Sequence, residues 1–189
     1  TGLMEVLKTD RIPHWRASAA LLLDQWAAEP SVRAALLEQV AHEHPLVRNA
    51  VIRSLEQVLL SGDAETRVVL EKALMDPVRS VRVAAAWALR ETLDVNGVAG
   101  KDLLHMLHLN SDQPSGQMQL GQFHFSRGEA TKAIGHMETA VKWDPNSPPF
   151  HHDLALIHSS QGNTAKAIQK LEDAIKLAPN EAQYRYELG

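Results

Sequence analysis

The chain has 189 residues and no cysteine, which excludes disulfides, thiolate zinc sites and covalent haem attachment within it. Its formal net charge is −4, spread as 11 Lys+Arg against 13 Asp+Glu in residues 1–94 and 8 against 10 in residues 95–189. That even, mildly acidic balance argues against nucleic acid and anionic membrane as partners. No apolar run spans a bilayer, since the longest, Ala17 to Leu23, meets Asp24 at once.

No targeting segment is visible, and the first Met is Met4. The chain therefore reads as a piece excised from a longer protein. Leu3 to Lys8 is a short first helix. Three stretches then align: Trp15 to Leu23, Val47 to Leu55 and Val81 to Leu89. Their arginines, Arg16, Arg48 and Arg82, stand 32 and 34 residues apart. A small residue follows each arginine by two positions, as Ser18, Ala50 and Ala84. Apolar residues follow by three and four, and leucine by seven, as Leu23, Leu55 and Leu89. Positions three, four and seven apart share one helix face, so each copy is an amphipathic helix.

Pro13, Pro45 and Pro77 stand before these helices, where a missing N–H costs nothing. Further helices are expected between them at Ser31 to Glu43 and Asp63 to Met75, with Ser31 and Asp63 as N-caps. The unit is a helix pair that buries its face only by stacking on the next pair. A turn-rich stretch, Asp94 to Gly100, closes the array, and Lys101 to Asn110 reads as one helix.

A second pattern starts near Pro114. Leu120-Gly121, Gly128, Ala133, Ala140 and Pro145 recur 34 residues later as Leu154-Ala155, Gly162, Ala167, Ala174 and Pro179. Each glycine ends a first helix, and each alanine pair marks a close helix crossing. A truncated third unit begins at Glu181, with Leu188-Gly189 as its Leu-Gly pair, and Ala182 to Gly189 is expected to serve as a capping helix.

The first pattern, on Asp76, Pro77, Val81, Arg82, Ala85, Ala86 and Leu89, resembles HEAT repeats in their short bacterial form. In that family the aspartate and arginine link adjacent repeats in a ladder. The resemblance places that role on Asp76, Arg16, Arg48 and Arg82, with Asp10 as a further equivalent. His42 stands where the second unit's aspartate is expected, which implies a weaker rung. The second pattern resembles the tetratricopeptide repeat. Gln117 and His151 take the place of that family's first aromatic, and His124 and His158 the place of its tyrosine. Histidine there suggests a wetter interface. The expected fold is an all-α superhelix. It comprises HEAT-like repeats over 1–94, a connecting helix and linker over 95–112, and tetratricopeptide repeats over 113–189.

In the tetratricopeptide family the first helix of each unit lines a partner groove. Carried over, the groove here holds Ser115, Met118, Gln122, Phe125 and Ser126. It continues through Pro149, His152, Leu156, Ser159 and Ser160 to Gln183 and Tyr186. The Lys and Asn with which co-chaperones of this family clamp a carboxylate are replaced by Met118, Gln122 and Leu156, so that clamp is absent.

Ten histidines invite a metal reading at His105/His108, His42/His44 and His151/His152 with His158, but no carboxylate pair completes these sets. No nucleophile motif and no phosphate loop occurs. The chain therefore reads as a non-enzymatic scaffold that binds a protein or peptide, without cofactor, metal or catalytic residues. Arg79, Arg82 and Arg90 keep open a nucleic-acid reading, as in HEAT-like repair proteins, and the phycobilin lyases keep open a HEAT-like enzyme. Short HEAT repeats running into residues 110–146 also resemble the C-terminal region of bacterial multihaem cytochromes. That resemblance implies a docking or assembly region of a periplasmic electron-transfer protein; without it the expected compartment is the cytoplasm. The oligomeric state is left open.

Overall fold

The computed structural model describes residues 2–188. Among the described residues there are thirteen α-helices, a 3-10 turn at Asp24–Trp26 and no strand. The chain is all-α and of the α–α superhelix class. It separates into two compact units, residues 1–104 and 105–189. The division falls inside α8 (Val98–Leu109).

The first unit contains α1 (Gly2–Thr9), α2 (Pro13–Leu22), α3 (Pro30–Leu37), α4 (Pro45–Ser54), α5 (Glu56–Leu60), α6 (Ala64–Ala73) and α7 (Arg79–Ala88). The aligned stretches form α2, α4 and α7. Helix α2 packs on α4, and α4 on α7. Their shared face is small and buried: Ala17, Ala19 and Ala20 on α2, Ala50 and Val51 on α4, Ala84 and Ala85 on α7. Leu23, Leu55 and Leu89 close the ends of the three helices, each within 4 % of full burial. Small side chains let helix axes approach, so even backbone polar groups can be reached from the next helix. Ser54 Oγ donates to Ala20 O at 2.9 Å, and Asn49 Nδ2 donates to Ser80 O at 2.8 Å.

The helix starts differ from copy to copy. Pro13 and Pro45 occupy the first turn, but Pro77 lies outside α7, whose N-cap is Val78. Asp76 explains this, because its Oδ1 accepts from Val78 N at 2.8 Å and holds the turn before the helix. Asp63 is the N-cap of α6, its carboxylate accepting from Thr66 N at 2.8 Å. Ser31 is not a cap: Pro30 opens α3, and the N-cap is Glu29. Helix α3 also stops at Leu37, well short of Glu43, and the chain continues in turns.

Arg48 lies between two repeats. Its Nε and Nη2 donate to Asp76 Oδ2 and Oδ1 at 2.7 and 2.9 Å, while Nη1 donates to His42 O and Glu43 O. Arg82 repeats the arrangement one step on, with Nη1 on Asp76 O and Pro77 O and the guanidinium on Asp102 at 2.6 and 2.8 Å. Each arginine thus ties the turn before its own helix to a carboxylate further along the chain. Arg16 lacks such a carboxylate. It bonds Leu7 O, Lys8 O and the neutral Gln39 Oε1. His42, at the aspartate position, still caps the turn through Nδ1, which accepts from His44 N at 3.0 Å. It carries no negative charge to offer Arg16.

The second unit contains α9 (Pro114–Ser126), α10 (Ala130–Trp143), α11 (Pro148–Ser160), α12 (Thr164–Leu177) and α13 (Ala182–Leu188). Gly128 and Gly162 end α9 and α11 with φ of 75° and 72°, a conformation that glycine takes without a steric penalty. In both places the amides of the glycine and the next residue bond back to the last turn, as Gly128 N to Phe125 O and Glu129 N to His124 O. This double bond-back stops the helix sharply. Ala133, Ala140 and Ala174 are fully buried, and a Cβ on Gly121 would meet Met137 at 2.6 Å, so α9 and α10 touch closely. Gly189, expected in a Leu-Gly pair, lies outside the described residues.

The Arg48 guanidinium holds the Asp76 carboxyl below the usual carboxylate range, against the opposing effect of burial. A depressed carboxylate adds stability above its unfolded pKa, near 4, and loses it as pH falls through the lower folded value. Asp76→Asn should therefore lower the stability to urea by about 2–4 kcal/mol at pH 7, a range set between exposed and buried pairs. The loss relative to the native chain should shrink below pH 4. An equal loss at every pH would contradict this role.

Candidate functional site

The first helices α9, α11 and α13 carry the groove positions carried over from the tetratricopeptide family. Their side chains divide into two sets. One set is polar and already bonded. Gln122 Nε2 donates to Asp153 Oδ2 at 2.7 Å. His152 is buried, with Nε2 2.7 Å from Glu187 Oε2 and its ring 4.8 Å from that of Tyr184. Ser126 Oγ donates to Phe123 O, and Ser160 Oγ to Ile157 O. The other set is apolar and open. Phe125 is 36 % exposed, Leu156 41 % and Tyr186 87 %. Met118 is half-buried, packed against the cluster of Ala133, Met137, Leu154 and Ile157, while Ser159 is exposed.

Asp153 and Glu187 were not singled out from the sequence, yet they bridge the first helices. Burial would raise the Glu187 carboxyl, but hydrogen bonds from Gln183 and His152 outweigh that and hold it below the ordinary range. Tyr184 shows the matching effect: burial pushes its hydroxyl up, and so do Glu181, Asp153 and Glu187. The first helices therefore carry two bonded carboxylates, Asp153 and Glu187, beside neutral polar groove residues. The two carboxylates were hard to find because each lies beside, not on, a groove position.

Of the histidine positions expected to be wetter, His151 and His158 are dry and His124 is half-buried. Gln117, His151 and His158 are all within 9 % of full burial. They sit where α9 and α11 press against α10 and α12, and at Gln117 and His151 local carbonyls and side chains replace water. Gln117 Nε2 donates to Ser111 O, its Oε1 meets His136 Nδ1 at 2.8 Å, and His151 Nε2 meets Pro145 O at 2.9 Å. His124 stacks on His136 with ring centres 5.2 Å apart and planes 3° apart, and its Nδ1 lies 2.9 Å from Glu129 Oε2.

Among the described residues no group of three or more His, Asp or Glu side chains is placed to hold a metal. His42 and His44 spend their Nδ1 atoms on backbone amides, and His105 and His108 are exposed. Arg79, one of the arginines that kept open a nucleic-acid reading, pairs with Asp102 Oδ1 at 3.3 Å. Asp102 escaped notice because it follows Arg82 by 20 residues, whereas Asp76 follows Arg48 by 28. Arg90 is held by Glu56 at 2.6 Å and lies over Trp87. No helix among the described residues is long and apolar enough to cross a membrane.

Comparison with known proteins agrees with this architecture. Residues 1–90 match the family model described as HEAT repeats, and residues 124–186 match the one described as tetratricopeptide repeat. The chain is thus a helical repeat protein, similar to the first family over its N-terminal part and to the second over its C-terminal part. A similar solved structure is TTC0263, a thermophilic TPR protein of Thermus thermophilus. It is 19 % identical, with a TM-score of 0.57 over 91 % of this chain and 96 % of that one. At that identity the likeness concerns the fold. MamA MSR-1 C2 is 18 % identical, with a TM-score of 0.48 over 86 % of this chain and 96 % of that one. No curated protein matches the chain significantly.

Burial, and secondarily His124, lower the pKa of His136. The uncharged ring is favoured in the folded state, so the unfolded chain takes up the proton first as pH falls below about 6.5. Its contribution to stability is present above that pH and is lost through the interval below it. In an NMR titration His136 should have a midpoint under 6.5. His124→Gln should move it upward only part of the way, because burial remains. A midpoint at or above 6.5 in the native chain would contradict the packing described.

Proposed function

We propose that the second unit binds an extended or helical protein segment along its first helices, and that the chain acts as a non-enzymatic scaffold. The observation that carries this reading is the exposure of Phe125, Leu156 and Tyr186 on α9, α11 and α13. Large apolar side chains held open on a rigid helix array supply the anchors that dominate binding energy. Between them lie carboxylates already bonded to Gln122 and His152, and these favour a partner with neutral or basic side chains over an acidic one. This is the reverse of a lysine clamp for a C-terminal carboxylate.

Protein binding is the usual work of both repeat types, which supports the scaffold reading over a lyase or a nucleic-acid module. The pairing of Arg79 and Arg82 with Asp102, and of Arg90 with Glu56, also weakens the phosphate reading. None of the comparisons supports the cytochrome resemblance.

The test uses the full chain as bait and quantifies each captured protein. Leu156→Glu and Phe125→Glu should each lower retention of the same partner by at least about tenfold, as expected for anchor residues. Far-ultraviolet circular dichroism should stay close to native and the melting temperature should fall only a little, since both side chains are partly exposed. A surface change on α12, Glu172→Gln, should leave retention unaltered. Equal retention by the groove variants and the native chain would refute the assignment.

A further inference from the structure

We propose that the second unit also holds a binding site for a small dianion, in the cleft where Lys142 of α10 and Lys166 and Lys170 of α12 converge above His158 of α11. The cleft is open to solvent, has a volume of about 340 Å³ and shares no residue with the groove positions. Its floor is Leu154 and His158, and Glu138 is the one carboxylate on its lining. That volume lies at the small end of ligand sites, which run from about 300 to 1,000 Å³.

Charge is the first argument. Residues 105–189 carry seven Lys and Arg against nine Asp and Glu, so a patch chosen at random there is acidic. The cleft gathers three of those seven cations against a single carboxylate. Two of the three are uncommitted. Lys132, Lys170 and Lys176 have carboxylate partners within 4 Å, but Lys142 and Lys166 have none among the described residues. Like charges brought together beside low-dielectric walls repel one another, and a bound anion relieves that cost.

His158 is the second, independent argument. It is only 4 % exposed, it lines the cleft, and its Nδ1 has no hydrogen-bond partner among the described residues. A buried polar atom left unpaired costs about 1–3 kcal/mol, so a histidine in this position calls for a reason that packing does not supply. Burial first, and then Lys166, lower its pKa, so the ring is uncharged and offers one N–H donor. Two mobile ammonium groups, a neutral N–H donor and Gln169 on the rim suit an oxygen-rich ion with two charges. Inorganic phosphate, a phosphate monoester and a short dicarboxylate share that chemistry.

The test is titration of the full chain with inorganic phosphate and, separately, with succinate at low ionic strength, followed by calorimetry and by amide shifts. The expected result is saturable one-to-one binding of at least one of the two. Shifts should be confined to the last turns of α10 and α11 and the first turns of α12, and the better ligand tells which kind of dianion fits. The double variant Lys142→Gln/Lys166→Gln should weaken binding at least about tenfold, whereas Lys132→Gln/Lys176→Gln, which removes the same charge, should change it less than about twofold. His158→Leu should weaken binding without loss of thermal stability, because it removes an unpaired polar group. No saturation of either ion in the millimolar range, or equal weakening by the two lysine pairs, would overturn the proposal. Because the cleft and the groove share no residue, either can fail without the other.

Discussion

A helix pair of about 33 residues has more apolar surface on one face than it can cover by itself, and only another pair can cover it. That constraint accounts for the composition of the shared faces. Alanine recurs on the buried faces: Ala17, Ala20, Ala50 and Ala85 in the first unit, Ala133, Ala140, Ala167 and Ala174 in the second. Larger side chains at those points would hold the helices apart and leave both faces wet. The same constraint explains why polar groups at the interfaces are bonded to a neighbouring helix. Ser54 reaches Ala20 O, Asn49 reaches Ser80 O, and Arg48 reaches Asp76.

The two units solve the stacking problem differently. The first relies on charge to tie one turn to the next, through arginines that bond backbone carbonyls and a carboxylate at once. Where the carboxylate is missing, at Arg16, a glutamine amide takes its place. The second relies on close backbone approach, with Gly121 against Met137 and glycines that end α9 and α11 abruptly. Polar contacts also link its first helices, where Gln122 meets Asp153 and His152 meets Glu187. Function follows from this difference. The second unit keeps large apolar side chains open on its first helices, and gathers lysines on another face.

Much of the fold was legible from spacing alone. Residues three, four and seven apart marked α2, α4 and α7, and the 34-residue register placed α9 to α12, because those periods are set by the helix itself. Local caps were less legible. Ser31 looked like an N-cap, but Pro30 claims the first turn, and Pro77 stands outside its helix because Asp76 bonds Val78 first. Side-chain pairing was the least legible. Asp102 breaks the spacing set by Arg48 and Asp76, and Asp153 and Glu187 sit one position off the groove register. The lysines of the cleft lie on two helices 24 residues apart in sequence, and only the packing of α10 and α12 around α11 brings Lys142 and Lys166 together. His151 looked hydrated because it is polar. It is dry because it occupies a position that the repeat buries whatever the residue.

The central claim is that each helix is held by its neighbours and not by its own propensity. Amide hydrogen exchange along the full chain tests it most directly, because protection reports local opening helix by helix. Exchange should be slowest in α4 and α11, which pack on helices to either side, and fastest in α13, which buries only Tyr184. Protection in α13 equal to that in α11, or one uniform rate across all helices, would contradict the account.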